Sequence, residues 1–224
     1  FDRSTVLLTM AVVEEEQVVC ELAVRYARGP TESLVLLMER FLGHLGLTVR
    51  DVDGLAVGTG PGSWTGTRVG VITGKVLSFA TGKPVVGVPS FDALVYGCGI
   101  QDGVVCVLSG FGRDRVFHAT YKLHQGVSRR VTDYAVAGLE EVLQGIRERT
   151  VFIGQGILGH RRELSAVAES VVLPQFASPR GSCVALLGHQ ALAERAGGDS
   201  EALVPIYVAL PYAEAHMQPR GSER

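Results

Sequence analysis

A glycine-rich segment between a predicted strand and a predicted helix constrains the fold of this chain more than any other feature. It reads GTGPGSWTGTRVGVITGK over residues 58–75, with six glycines, one proline and the only tryptophan of the sequence. The preceding run, 54–59, is short and apolar like a buried strand, and the following run, about 65–80, has helical spacing. A further apolar run at 84–88 predicts a second strand. Strand, turn, helix and strand in this order are typical of parallel β-α-β pairing in an α/β fold.

The rest of the chain extends this pattern into two halves with a similar order of elements. A hairpin of strands at 6–13 and 17–24 precedes a helix that Thr31 caps and that ends near Gly46. The other predicted elements are helices at 91–96, 139–147, 161–169 and 183–196, and strands at 104–108, 115–122, 151–153 and 171–173. We therefore expect an N-terminal lobe over residues 1–98, a C-terminal lobe over 99–210 and a frayed tail over 211–224.

Composition argues against several classes of function. With 21 basic and 23 acidic residues the net charge is −2, so no overall cationic field attracts nucleic acid or a membrane surface. No uncharged apolar run in the sequence approaches the ~20 residues of a membrane span. The four cysteines form no C-x-x-C pair and have apolar neighbours, which is typical of buried thiols in a reducing compartment. These features predict a globular cytoplasmic protein.

The glycine-rich turn matches none of the common motifs that bind phosphate or carry a nucleophile. A Walker A lysine is followed by serine or threonine, whereas Val76 follows Lys75 here. In the dinucleotide pattern G-x-G-x-x-G, Thr65 stands at the third glycine position. A hydrolase elbow needs glycine two residues before and after its serine, and Pro61 and Thr65 flank Ser63 instead. We therefore predict no catalytic residue and no bound cofactor.

The residues of this turn resemble the signature of a bacterial family. The segment GPGSWTGTRVG is similar to the G-P-G-S-[FW]-T-G-x-R-x-G signature of the TsaB family, also called YeaZ. FDRST at 1–5, KPVVGVPSFDAL at 83–94 and VPIYV at 204–208 are similar to the opening, central and C-terminal motifs of that family. The matching signature residues are Gly60, Pro61, Gly62, Ser63, Trp64, Thr65, Gly66, Arg68 and Gly70.

The resemblance implies a fold and a function. The fold is the two-lobed actin-like, sugar-kinase-like and Hsp70-like α/β fold, with mixed sheets flanked by helices. The role is in making N6-threonylcarbamoyladenosine at position 37 of tRNAs, as a noncatalytic partner of the paralogue TsaD. TsaE would join a larger complex, a homodimer would form in isolation, and tRNA would be contacted only indirectly. Two departures are Arg3, where the family has threonine, and the segment 108–117, which lacks its I-D-A-R-x-x-E-V-Y motif.

Residues that would bind a metal are replaced at the positions where the wider family has them. Catalytic members carry H-x-x-x-H after the strand, and Ser90 and Leu94 stand there in this chain. Leucine has no lone pair for a metal, and the six histidines form no closely spaced pair. We predict no metal site. An actin-like-fold ATPase or kinase and a glycoprotease-like peptidase of the M22 type stay open as alternatives.

Small residues recur every four positions along the helix that follows the turn. Gly66, Gly70 and Gly74 therefore lie on one side of it, and each glycine costs about 1 kcal/mol of helix stability relative to alanine. Close packing must offset this cost, either within the same lobe or against a partner. The resemblance implies that this helix and the one before it pair with the matching helices of TsaD or of a second copy. The expected interface residues are Leu34, Met38, Leu42, Gly66, Gly70 and Gly74.

Overall fold

A computed structural model describes residues 1–25, 34–112, 115–167, 170–194 and 200–208. The first half of the chain contains the hairpin, two helices around a parallel pair of strands, and a third helix, as the sequence predicts. Thr31 and the tail 211–224 lie outside the described residues. The elements are β1 (Leu7–Glu14), β2 (Gln17–Arg25), α1 (Leu34–Gly43), β3 (Leu55–Gly58), α2 (Trp64–Thr81), β4 (Val85–Val88) and α3 (Ser90–Gly97).

The second half contains every predicted element and two further strands. Two short 3-10 turns, Gln155–Gly159 and Pro174–Phe176, precede its last helices and strands. The elements are β5 (Gly103–Phe111), β6 (Arg115–His124), β7 (Val127–Arg130), β8 (Ala135–Gly138), α4 (Leu139–Gln144), β9 (Thr150–Ile153), α5 (Arg161–Ser165), β10 (Val171–Val172) and α6 (Gly181–Glu194). Sequence reasoning missed β7 and β8 because each has four residues, and all of β7 is exposed and therefore lacks an apolar alternation.

Both halves arrange their strands in the same order. In the first, Phe1 and Asp2 lie between β1 and β3: Phe1 N donates to Ala56 O and Gly58 N donates to Phe1 O, both at 2.8 Å. The order is thus β2, β1, residues 1–2, β3, β4, with β3 parallel to β4. In the second, the order is β7, β6, β5, β9, β10, with β8 also paired to β6 and with β5, β9 and β10 parallel. Each half therefore combines an antiparallel meander with parallel strands.

The helix α6 follows the second sheet in sequence and packs on the first. A Cβ at Gly181 would overlap the backbone of Met10, and one at Gly188 would overlap Ala56. Leu203 is likewise buried in the apolar core of the first half. The predicted lobes, 1–98 and 99–210, stay a prediction, but the last elements of the chain complete the packing of the first.

Several helices are shorter than the sequence suggested. The helix predicted at 139–147 ends at Gln144, because Gly145 follows, and the helix predicted at 161–169 ends at Ser165. Among the described helices, none combines the length and the apolar character that crossing a membrane requires. The longest is α2, with 18 residues, and it positions the candidate site.

Candidate functional site

The glycine-rich turn packs its backbone against the first residues of the chain. Ser63 is the N-cap of α2, and its Oγ accepts a hydrogen bond from Gly66 N at 3.2 Å. Ser63 N in turn donates to Ser4 O at 2.6 Å. A Cβ at Gly62 would overlap Ser4 O, and one at Gly66 would overlap Arg3 O. The glycines of the turn therefore serve a close approach between two backbone segments of the same chain.

The buried carboxylate of Asp2 stabilises this arrangement through hydrogen bonds. Asp2 is 1% exposed, and its Oδ1 accepts hydrogen bonds from Ser4 N and Ser4 Oγ, each at 2.7 Å. Its Oδ2 accepts a hydrogen bond from Ser90 Oγ, which itself accepts one from Gly60 N at 3.0 Å. Because both carboxylate oxygens bind groups of the same chain, Asp2 supports the turn and does not face solvent. Leu94, the other position of the family's metal motif, is buried on α3.

The second glycine turn, Gly154 to Gly156, is also engaged inside the protein. Gly154 has a φ of +96°, and its N–H donates to Phe176 O at 2.8 Å. Gln155 Oε1 accepts a hydrogen bond from Val6 N at 3.3 Å, so this turn bridges the two halves of the molecule. The Gly154 N–H and the Asp2 carboxylate are thus both engaged by groups of the same chain.

The six predicted interface residues are all buried. Gly66 and Gly74 face the inside of the first half, since a Cβ at Gly74 would lie 2.5 Å from Val57 Cγ2. Gly70 has a looser environment, with its nearest neighbours 3.9 Å from the Cβ position. On α1, the predicted residues Leu34, Met38 and Leu42 belong to the same apolar core. The structure thus places these residues in the packing of the chain itself, and these helices expose other residues.

The opposite side of α2 exposes a row of large apolar side chains, which we call the α2 face: Ile72, Val76 and Phe79. Their exposed fractions are 56%, 59% and 91%. The spacing i, i+4, i+7 puts all three on one side of the helix, away from the buried glycines. On α1, Val35 and Leu36 are exposed as well. Because these side chains are neighbours on one side of the helix, the α2 face is a candidate binding surface. The i, i+4, i+7 spacing of these three residues is present in the sequence, but the interface predicted from the sequence is on the opposite side of the helix, which carries the glycines.

At its N-terminal end, α2 carries an aromatic and cationic cluster made of family-motif residues. The rings of Trp64 and Tyr207 have centroids 4.4 Å apart and are tilted by 39°. The Arg68 guanidinium carbon lies 5.3 Å from the centroid of the Trp64 ring. Thr65 and Arg68 are exposed, and Tyr207 is half-exposed. This cluster continues the side of α2 on which Ile72 lies.

The Ser63 hydroxyl and three of the cysteine thiols have environments that can be read directly from the structure. Over the described part of the chain, no group of three or more histidine, cysteine, aspartate and glutamate side chains could hold a metal ion. The Ser63 hydroxyl caps a helix. Burial raises the pKa of the Cys106 thiol to about 12, and burial also raises the pKa of Cys98 and Cys183. These thiols therefore stay protonated near neutral pH and are poor nucleophiles.

Sequence comparison identifies relatives over nearly the whole chain. The family model of TsaD, tRNA N6-adenosine threonylcarbamoyltransferase, matches residues 18–171, more than half of the chain. The tRNA threonylcarbamoyladenosine biosynthesis protein TsaB of Bacillus subtilis (strain 168) is 26% identical over 220 residues, which are 96% of this chain and 94% of that protein. The tRNA N6-adenosine threonylcarbamoyltransferase of Rhizobium meliloti (strain 1021) is 39% identical over 78 residues, 35% of this chain and 22% of the transferase.

Solved structures share the fold. YeaZ from Pseudomonas aeruginosa superposes with a TM-score of 0.75 at 24% identity, covering 92% of this chain and 96% of that chain. A second structure, described as an uncharacterized protein with similarity to peptidase YeaZ from the same organism, gives a TM-score of 0.75 at 25% identity. The mixed α/β architecture is consistent with an actin-like fold. The chain therefore belongs to the TsaD family and, within it, to the TsaB/YeaZ group, which supports a role in the threonylcarbamoyladenosine modification of tRNA.

Proposed function

We propose that the chain is a noncatalytic subunit of the bacterial machinery for tRNA N6-threonylcarbamoyladenosine synthesis, and that it binds and supports its paralogue TsaD through the α2 face. The observation that carries this proposal is the exposure of Ile72, Val76 and Phe79 on a helix whose other side is buried within the chain. Phe79 alone presents almost its entire ring to solvent. Covering these side chains would remove a large apolar area from water, which is the main driving force of protein association.

The relation to TsaD suggests why the partner would be that protein. The TsaD family model covers residues 18–171, a range that includes both α1 and α2, so we expect counterparts of these helices in TsaD. Related faces pair readily about a two-fold or pseudo-two-fold axis, because the same surface is then used on both subunits. A second copy of this chain could use the same face, which would give a homodimer in isolation.

The residues at the positions that a transferase or an ATPase would use are buried or already hydrogen-bonded, which supports a noncatalytic role. Catalysis on a nucleotide or a carbamoyl group requires groups that reach the substrate. Here the Asp2 carboxylate is buried and hydrogen-bonded, Ser90 and Leu94 are buried, and the N–H of Gly154 is already engaged. These contacts weigh against the ATPase or kinase alternative. The role of Ser63 as a helix cap weighs against the peptidase alternative.

The remaining parts of the proposal follow from the family and from the charge. We place the chain in the cytoplasm, in a two-lobed actin-like, sugar-kinase-like and Hsp70-like fold, with TsaE as a further member of the complex. The net charge of −2 favours indirect contact with tRNA through TsaD. Tight binding of tRNA by the isolated chain at physiological salt would contradict this part.

The test is reconstitution of the modification. TsaD, TsaE and the threonylcarbamoyl-adenylate synthase of the same source are mixed with tRNA, and modified adenosine is measured with and without this chain. We expect modification to depend on the chain, and metal-dependent nucleotide hydrolysis to be absent from the chain alone. An equal yield of modified tRNA without the chain would contradict the proposed function.

A further inference from the structure

The charges of α2 are all positive and only one of them is exposed. The sequence of α2, every residue of which is described, contains Arg68 and Lys75 and no aspartate or glutamate. Lys75 is half-buried, and its Nζ donates a hydrogen bond to Glu201 O at 3.4 Å. Arg68 is exposed and lies one helical turn before Ile72. The α2 face therefore has an apolar centre, with the exposed cation Arg68 at its N-terminal end and the half-buried cation Lys75 held to a backbone carbonyl beside it.

The Arg68 side chain is already positioned in the isolated chain by its neighbours. The Arg68 guanidinium carbon lies 5.3 Å from the Trp64 ring centroid, and Trp64 packs against Tyr207. The segment that carries Tyr207 is anchored by a hydrogen bond from Ile206 N to Thr59 O at 2.8 Å. Arginine loses about 2 kcal/mol of rotamer freedom when it is fixed, and stacking on a ring provides part of that ordering in advance. Its planar fork can still bind a carboxylate through two hydrogen bonds.

An apolar face alone does not fix the direction in which a partner helix lies. Burial of Ile72, Val76 and Phe79 is non-directional, so these residues would accept a helix in either orientation and in several registers. A fixed cation at one end removes that freedom, because an anionic side chain of the partner must lie opposite it. The α2 helix of a second copy offers no carboxylate, so pairing of two α2 helices is the poorer match, and a second copy would have to reach Arg68 with another residue such as the exposed Glu39 of α1.

We propose that Arg68 determines the specificity of this surface by binding a carboxylate of the partner protein, and that it thereby sets the orientation of TsaD and favours TsaD over a second copy. This inference rests on the proposed function. It identifies the partner surface as an apolar helical face with an acidic side chain at one end.

The test is titration of TsaD against four forms of the full chain at low and at physiological salt: the unmodified chain, Arg68→Glu, Arg68→Lys and Phe79→Asp. We expect Arg68→Glu to weaken TsaD binding about tenfold or more and to flatten its salt dependence. The TsaD affinity of Arg68→Lys should lie between those of the unmodified chain and Arg68→Glu, because an ammonium group keeps the charge but cannot form the bidentate pair. Arg129→Glu, at an exposed position of β7, is the charge control and should bind unchanged. Self-association of Arg68→Glu, measured by ultracentrifugation, should change less than twofold.

The outcomes separate this inference from the proposed function. If Phe79→Asp loses TsaD binding while Arg68→Glu binds like the unmodified chain, the inference is wrong and the proposed function stands. If the unmodified chain does not bind TsaD, both are wrong. If Arg68→Glu weakens self-association as much as TsaD binding, or weakens only the binding of tRNA, the assignment to a TsaD carboxylate is overturned. Circular dichroism confirms folding, and Arg68→Gln replaces Arg68→Glu should the latter unfold.

Discussion

The two halves of the molecule share an order of strands but differ in the helix that follows the inner parallel strand. In the first half, β3 leads through the glycine-rich turn into α2, with 18 residues, whereas in the second, β9 leads through a 3-10 turn into α5, with five. The exposed side of α2 is apolar, while α5 exposes the charged run 161–163. One topology thus carries an exposed apolar face in one half and an exposed charged run in the other, which is why we propose partner binding for the first half.

The largest expected effect is on the close approach that positions α2. Gly66→Ala should lower the free energy of unfolding by about 3 kcal/mol, because the new Cβ overlaps the backbone oxygen of Arg3, which cannot move as a side chain can. Chemical denaturation measures this effect. Gly43→Ala is the control, since nothing lies near its Cβ position. Equal stability of Gly66→Ala and the unmodified chain would show that the turn does not depend on this contact.

The equivalent substitution in the second half should lower the free energy of unfolding by a smaller amount. A Cβ at Gly156 would lie 3.0 to 3.1 Å from atoms of Leu108, a tight contact that a shift of a few tenths of an ångström relieves. We therefore expect Gly156→Ala to lower the free energy of unfolding by about 1 kcal/mol. A larger loss than that of Gly66→Ala would reverse the comparison between the two turns.

The contact that joins the last helix to the first half should depend on pH. Burial opposes ionisation of Glu21, but hydrogen bonds from Arg180 and Ser182 outweigh it and lower its pKa below the ordinary value near 4.5. Its contribution is therefore fully present above about pH 4.5 and is lost as the pH falls through the lowered pKa. Glu21→Gln should cost about 1 kcal/mol at neutral pH, because the pair is partly exposed and screened.

Denaturation of Glu21→Gln and of the unmodified chain at several pH values measures this contribution. The difference should shrink toward acid pH. Glu16→Gln, in the exposed turn of the hairpin, is the matched control and should show no such trend. A difference that stays constant down to strongly acid pH would contradict the assignment of the effect to the Glu21 carboxylate.

The smallest effect is expected from an apolar residue on the surface of the second half. Leu158 in the 3-10 turn is 50% exposed, comparable to Ile72 and Val76 of the α2 face. Leu158→Asp should leave TsaD affinity unchanged within twofold and stability within about 0.5 kcal/mol. Loss of TsaD binding in a folded Leu158→Asp variant would place the partner on the second half and break the comparison.

Local patterns in the sequence were enough to predict most of the fold. The β1–β2 hairpin, α2 and the parallel strands around it are confirmed, because their apolar spacing is strong and their ends carry glycine, proline or a capping serine. The strands β7 and β8 could not be found, since each has only four residues and neither alternates between buried and exposed positions. Packing of α6 on the first sheet depends on contacts between residues far apart in sequence, such as Gly188 and Ala56, which no local pattern encodes.

The site residues stay a prediction. The family signature points to the turn and to α2, but two faces of α2 compete in the sequence: the glycines at 66, 70 and 74, and the apolar residues at 72, 76 and 79. Close packing of either face would explain its composition. The choice between them depends on where the first residues of the chain and β3 lie, because Arg3 O occupies the space beside Gly66 and Val57 of β3 occupies the space beside Gly74. These positions are set by the tertiary structure and cannot be predicted from a local sequence pattern.

The central claim is that TsaD covers the α2 face, and side-chain footprinting with hydroxyl radicals tests it without any mutation. Phe79, 91% exposed in the isolated chain, should be oxidised readily. In a complex saturated with TsaD, we predict strong protection of Phe79, with weaker protection of Ile72 and Val76, while Leu158 reacts as it does in the free chain. Oxidation of Phe79 at the same rate in the free chain and in the saturated complex would contradict the account.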